Sequence, residues 1–319
     1  MVSLSTPITA AHVYYDIAAE LARRPDAPAC RQVKTAADLE ALLPETEVLV
    51  ISMLWQNRFL AMAPRLRYIQ SISSGVDQFD LDALKACGVR LCNARGVNSR
   101  AVAEHALALL FSLSRRLYEA RDNQARHRWS TTGTDPRPRL TELADKVVYV
   151  IGMGTIGDEI ARLCQALGMT VLGTRHSPRP LDVPGVTQIA ADDIATGLAA
   201  ADHVILTCPL TEQTRHLINA RTLALMKRSA TLINVARGPV VEENALIAAL
   251  ESGALAAAAL DTFDTEPLPA QSPLWSVPNL VLTGHIAGET EYYERNVVNI
   301  LLKNLEALQS DAPMTNRIV

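Results

Sequence analysis

The stretch VVYVIGMGTIG, residues 147–157, decides the fold. A β-branched run, Val147–Ile151, leads directly into Gly152, Gly154 and Gly157, and residues from Ile156 to Leu167 then repeat with helical spacing. The first glycine permits a tight turn, the second lets a pyrophosphate approach the backbone, and the third lets the helix pack close to the strand. The helix N-terminus then faces the phosphates. Three glycines in a strand-to-helix turn can also serve structure alone. The strand before and the helix after favour a dinucleotide site built on Gly152, Gly154, Thr155, Ile156 and Gly157.

Outward from this motif, the downstream runs Thr170–Leu172, His203–Thr207, Thr231–Asn234, Ala257–Leu260 and Leu280–Leu282 read as strands. Asn219–Met226 and Glu242–Glu251 read as helices between them. Such alternation is the pattern of a doubly wound α/β domain with a parallel sheet. Upstream, Val48–Ile51, Leu66–Ile72 and Val89–Cys92 alternate with helical patterns at Ala36–Leu43 and Leu81–Ala86, which predicts a second parallel sheet. A long helical stretch from about Ser99 to Gln124 separates the two, followed by the linker-like RHRWSTTGTDPRPRLTEL. The expected division is residues 1–98 with 290–319, and residues 99–289. The last helix, about Tyr292–Leu308, returns to the first domain.

Composition narrows the function. The chain has 319 residues, 49% hydrophobic and 20% charged, which suits about two domains with large cores. It carries 30 basic and 34 acidic residues, a formal charge of −4, so general nucleic-acid or anionic-membrane binding is not expected. No apolar run approaches the ~18 residues of a membrane span, and MVSLSTPITAAHVYYD does not read as a signal peptide. Cys30, Cys87, Cys92, Cys164 and Cys208 are scattered with no CxxC pair, which fits free thiols in a cytoplasmic protein. No His/Cys/Asp/Glu grouping has metal-site spacing.

The strand after the glycine helix ends at Gly173-Thr-Arg175-His-Ser177-Pro-Arg179. About 20 residues after the glycine loop, an NAD site places an acid on the ribose 2′-OH. Arg175 stands there instead, with the Ser177 hydroxyl and Arg179 nearby. A guanidinium pairs with a 2′-phosphate, whereas a carboxylate would repel it. NADP(H) is therefore expected over NAD(H).

Arg237, Glu266 and His285 each follow a strand or lie in a loop. Ligands of open α/β sheets bind beyond the carboxyl ends of the strands. The three suit hydride transfer to a 2-keto acid. Arg237 offers a fork of donors, His285 gives a proton to the carbonyl oxygen, and Glu266 stabilises the imidazolium. Taken singly, each is equally at home as a surface or structural residue. The arginines 115, 116, 121, 126, 128, 137 and 139 read as a solvated face or a dimer contact. Glu104, His105 and His203 read as structural, and Asp192-Asp193 as a helix start.

The sequence from about Ser71 onward resembles the D-2-hydroxyacid dehydrogenase family. The resemblance rests on Gly152–Gly157, Thr207-Cys-Pro-Leu-Thr211, Asn234–Gly238, Asp261–Pro267 and His285–Gly288, in family order. It implies two Rossmann-like domains with a cleft, a homodimer built near the long helix, and a D-configured product. It implies catalytic roles for Arg237, Glu266 and His285. It implies that Asp261, with backbone groups near Val235, Ala236, Arg237 and His285, holds the nicotinamide, and that Cys208, Pro209 and Thr214 line the cofactor. It further implies that the turn Ser74-Gly75-Val76 holds the substrate carboxylate, with Arg237. Leu54 and Trp55 are candidates for substrate contact, Trp55 being equally suited to the core. Gly284 stands where many relatives have Pro. The expected activity is an NADP(H)-dependent reduction of a small 2-keto acid of the glyoxylate or hydroxypyruvate type. The alternatives on this fold are a dinucleotide-sensing corepressor-like protein and a formate- or phosphite-type dehydrogenase.

Overall fold

Short apolar runs with no polar alternation become strands buried on both faces, each core side chain contributing about 1.5–3 kcal/mol. The computed structural model describes residues 5–129, 139–177, 179–310 and 312–319. The chain divides into two compact units, Met1–Asn98 with Thr290–Val319, and Ser99–Glu289.

The first unit holds β1 (Ile8–Ala11), β2 (Cys30–Val33), β3 (Val48–Ile51), β4 (Tyr68–Ser71) and β5 (Arg90–Cys92). They form one parallel sheet in the order β2-β1-β3-β4-β5. The C-terminal helix Tyr293–Ser310 buries Val297, Val298, Leu301, Leu305 and Leu308 in one cluster with Ile8, Val48 and Val50 of this sheet. Its buried Asn304 bonds the Tyr68 hydroxyl at 3.0 Å and the Thr315 N–H at 2.7 Å, which fixes the C-terminal segment.

The second unit holds β6 (Val147–Ile151), β7 (Thr170–Thr174), β8 (Thr187–Gln188), β9 (His203–Leu206), β10 (Thr231–Asn234), β11 (Ala257–Leu260) and β12 (Leu280–Leu282). They form a seven-stranded parallel sheet in the order β12-β11-β10-β9-β6-β7-β8. Strand order runs outward in opposite directions from β6 and β9, so the topological switch point lies between them. Both units are therefore Rossmann-like, doubly wound parallel sheets.

The expected helix from Ser99 to Gln124 is two helices, Ser99–Ser114 and Leu117–Ala125. The chain breaks at Arg116, whose φ of 49° is left-handed. The first helix buries an apolar face through Leu113, whereas the second buries no residue fully and meets the core through the partly buried Tyr118, so the core holds the second helix less firmly. Arg137 lies outside the described residues. Asp193 caps the helix Ile194–Ala200 by accepting the Thr196 N–H, as the sequence suggests. His203 is buried and its Nδ1 lies 2.9 Å from the Thr231 hydroxyl.

Candidate active site

The glycine loop joins β6 to the helix Thr155–Ala166. Gly152 has φ of 116°, and a Cβ there would overlap the Thr207–Cys208 backbone. A Cβ on Gly157 would overlap the Gly152 carbonyl. Both positions thus require glycine, and Cys208 belongs to the wall of this turn. The Thr207 hydroxyl bonds the Gly152 carbonyl at 2.8 Å and holds the loop from the β9 side. Thr155 is tied through its hydroxyl to Ser99, at 3.0 Å. No side chain caps the helix, whose backbone bonding begins with the Asp158 N–H on the Gly154 carbonyl at 2.8 Å. The Gly152 and Met153 N–H groups both bond the Thr174 carbonyl, at 2.9 and 2.8 Å, so the N–H groups at the helix start, from Gly154 to Ile156, are the ones left for an anion. This donor set fits the pyrophosphate of a dinucleotide.

Arg175, at the end of β7, is buried, with its side chain only 5% exposed. Its Nε donates to the Met153 carbonyl at 3.1 Å, Nη1 to the Pro180 carbonyl at 3.0 Å, and Nη2 to Asp182 at 3.1 Å. Ser177 and Arg179 are exposed beside it. The guanidinium therefore lies against the glycine loop, already paired with a carboxylate. Pro209 and Thr214 close one turn, the Thr214 hydroxyl donating to the Pro209 carbonyl at 2.7 Å.

On the same sheet, beyond β10, β11 and β12, three loops converge. His285 Nδ1 lies 2.7 Å from Glu266 Oε2, and Glu266 Oε1 accepts the Phe263 N–H at 2.9 Å. Burial raises the Glu266 carboxyl. Bonds from His285 and Phe263 and the charges of His285 and Arg237 outweigh it, so the group is held below the usual range. Arg237 is exposed, and its Nη1 donates to the neighbouring Ala236 carbonyl at 2.6 Å. His285 has φ of 55°, and its side chain is 46% exposed.

Asp261 fixes that histidine's loop. It is buried and accepts the Thr283 hydroxyl at 2.6 Å and the Ile286 and Ala287 N–H groups, each at 3.0 Å. His105, from the helix Ser99–Ser114, reaches the Thr283 hydroxyl at 3.0 Å and Asp261 at 3.5 Å. The carboxylate expected to meet the nicotinamide thus bonds its own chain in this structure.

Two supports were not singled out from the sequence as site residues. Asn234 is fully buried. Its Nδ2 bonds the Arg237 carbonyl and its Oδ1 the Ala236 N–H, both at 3.0 Å, which shapes the Val235–Arg237 loop. Gly238 crosses the backbone at Phe263–Asp264 so closely that a Cβ would overlap the Phe263 carbonyl. Both lie in a motif read as a family resemblance, but their roles depend on loops distant in sequence.

In the first unit, Ser74 and Gly75 are exposed and Val76 and Leu54 half-buried. Asn93 Nδ2 bonds the Ser74 carbonyl at 2.7 Å, and the Ala94 N–H bonds the Ser73 carbonyl at 3.0 Å. Ser52 and Ser73 join their hydroxyls. Among the described residues the N–H groups of Ser74, Gly75 and Val76 bond nothing else. A Cβ on Gly75 would meet only ordinary contact, so the turn does not demand glycine. Trp55 belongs to the core, its Nε1 bonded to Asn57 at 2.8 Å.

A parallel sheet with a glycine cradle at its switch point, and a paired carboxylate and imidazole beyond neighbouring strands, defines a dinucleotide-dependent oxidoreductase. Residues 107–287 match the family described as D-isomer specific 2-hydroxyacid dehydrogenase, NAD binding domain. The chain is 38% identical over 277 residues to glyoxylate/hydroxypyruvate reductase B of Citrobacter koseri, covering 86% of this chain and 82% of that protein. It resembles the NAD-complexed D-isomer specific 2-hydroxyacid dehydrogenase of Lactobacillus delbrueckii ssp. bulgaricus, with a TM-score of 0.84 and 25% identity over 98% of this chain and all of that one. It also resembles the Xanthobacter autotrophicus Py2 enzyme of the same description, solved with NADPH and MES, with a TM-score of 0.77 and 28% identity over 99% of this chain and 98% of that one. The chain belongs to the D-isomer-specific 2-hydroxyacid dehydrogenase family and is an oxidoreductase acting on 2-hydroxy acids. Among the described residues, no helix is long and apolar enough to cross a membrane.

Proposed function

We propose that this protein reduces a small 2-keto acid of the glyoxylate or hydroxypyruvate type to the D-2-hydroxy acid, preferring NADPH. The observation that carries the reading is the 2.7 Å pair between His285 and Glu266 in an open loop beyond β12. When bound, the dinucleotide supplies the hydride that reaches C2 of the keto acid. His285 gives its proton to the carbonyl oxygen, leaving a hydroxyl on the product and a neutral imidazole on the enzyme. Glu266, held as a carboxylate, stabilises the imidazolium through Nδ1 and leaves Nε2 for the substrate. Arg237 pairs with the substrate carboxylate, and the N–H groups of the Ser74–Val76 turn are a further donor set suited to a carboxylate. Asp261 holds the His285 loop through its three bonds.

The preference for NADPH is supported by Arg175 and Arg179 at the end of β7, where the sequence has no acid for a ribose 2′-OH. The substrate class is supported by the names of the relatives at 38% identity. Glyoxylate, hydroxypyruvate, pyruvate and phenylpyruvate, each assayed with NADPH and NADH, test the reading. The expected result is fastest turnover of the first two with NADPH. Cofactor binding without turnover of any of the four would overturn it. A His285→Ala variant should lose kcat by about 10²–10⁴-fold while still binding cofactor.

A further inference from the structure

We propose that Asp182 is an internal competitor for the 2′-phosphate of NADP(H), and so sets how strongly the protein discriminates between the two cofactors. The proposal rests on the cofactor reading above. Asp182 Oδ2 lies 3.1 Å from Arg175 Nη2 and 3.4 Å from Arg179 Nη2. Two guanidiniums converging on one anionic oxygen is the arrangement a phosphate oxygen takes. Here the protein's own carboxylate occupies it.

The two arginines differ in how firmly they are held. Arg175 is anchored independently of Asp182, through the Met153 and Pro180 carbonyls. The Met153 bond ties it to the glycine loop, where the dinucleotide would lie. Arg179 and Asp182 are exposed, the latter with 48% of its side chain open to solvent. The Arg179–Asp182 pair is exposed on both sides and cheap to open, and Arg175, though buried, keeps its two carbonyl partners when Asp182 leaves, ready for another anion in its place.

A second acid reinforces the argument. Asp158, on the helix that follows the glycine loop, is buried, and its Oδ1 has no hydrogen-bond partner among the described residues. Burial pushes its carboxyl up while Arg175 pulls it down and Asp182 pushes it up again, so all three groups share one field. Asp182 thus partners both guanidiniums before any cofactor arrives. An incoming 2′-phosphate must displace Asp182 to reach Arg175. A cofactor with a free 2′-OH has no such exchange to make.

The test is calorimetric titration of 2′,5′-ADP and of ADP into the full chain, with KM for NADPH and NADH measured alongside. In Asp182→Asn, the affinity ratio of 2′,5′-ADP to ADP should rise about three- to tenfold, and the NADPH-to-NADH ratio of kcat/KM should rise with it. Arg175→Gln should lower both ratios by at least about tenfold. Because Arg175 is buried, Arg179→Gln provides a milder second variant, with the same direction expected. If the arginine variants lower the ratios and Asp182→Asn leaves them where they were, the competitor role is overturned and the cofactor reading stands. If neither arginine variant lowers them, the cofactor reading falls and the proposal falls with it.

Discussion

Beyond β10, β11 and β12 of the second unit, the loops are full of side chains already bonded to one another. Asn234 shapes the Arg237 loop, Asp261 pins the His285 loop, and Glu266 holds the imidazole. Beyond β1, β3 and β4 of the first unit, the loops offer something else. Among the described residues they carry backbone N–H groups at Ser74–Val76 with no partner, and exposed apolar side chains, Met53 being 70% exposed and Tyr14 also open. Both sheets are parallel, and both present the ends of their strands as sites. One end is rigidly preorganised polar chemistry, and the other is a surface with spare donors and adaptable apolar groups. On the function proposed above, proton transfer falls to the second unit and recognition of the acid to the first. It predicts that damage to the second unit's loops lowers kcat and damage to the first unit's loops raises KM.

The largest effect should come from Gly238→Ala. A methyl there overlaps the Phe263 carbonyl, so the Arg237 loop and the loop leading to Glu266 must separate. A misplacement of about 1 Å costs roughly 10²-fold, and here two loops of the proposed site move together, so kcat/KM should fall by about 10³-fold. Melting temperature measured alongside separates a local shift from global unfolding. A folded variant with ordinary kcat would break the assignment of preorganised chemistry to this unit.

Gly238 also shows where sequence reading stops. The glycine loop was legible because all its requirements are local: a β-branched strand, three glycines and a helical period lie within one short stretch. Val48–Ile51, Thr231–Asn234 and Ala257–Leu260 were equally plain as apolar runs bounded by polar residues. In contrast, β1 is four residues ending in two alanines, and β2 reads Cys-Arg-Gln-Val at a sheet edge, so neither carries a strong strand signal. The candidate catalytic groups were visible as residue types in family-like motifs. What holds them was not. The overlap at Gly238, the three bonds to Asp261 and the capture of Arg175 by Asp182 each depend on where a separate loop passes. The break at Arg116 is similar, because helical periodicity continues past the point where the buried face ends.

The comparison also extends to the polar groups each unit buries. In the first unit Tyr68, Gln70 and Asn304 bond one another, and burial holds the Tyr68 hydroxyl well above its usual value, so this cluster does not titrate in acid. In the second unit, burial pushes the His203 imidazole down to about 4. The unfolded chain, with an ordinary value of 6.5, takes up the proton first. The contribution to stability is therefore complete above about pH 6.5, declines as pH falls, and is lost near pH 4. The loss is about 3 kcal/mol at most. His12 of the first unit is also lowered by burial, with Glu294 opposing, so the first unit weakens in the same direction. Urea unfolding at pH 7 and pH 4.5 should show a smaller acid loss in His203→Gln than in the unaltered protein. Equal losses would remove His203 as the acid-sensitive group of the second unit.

The smallest effect tests recognition. Asn93 is buried, accepts the Arg95 N–H at 3.1 Å and donates to the Ser74 carbonyl at 2.7 Å, so it holds the turn whose N–H groups are spare. Asn93→Ala removes both bonds, a cost of about 1–2 kcal/mol that falls on the conformation of the turn. If the turn binds the substrate carboxylate equally in ground and transition states, KM for the keto acid should rise about tenfold with kcat nearly unchanged. The KM for NADPH gives the internal control, since the glycine cradle belongs to the other unit. A fall in kcat at constant KM would mean that the first unit takes part in the chemical step, and the division of labour between the two sheets would have to be redrawn.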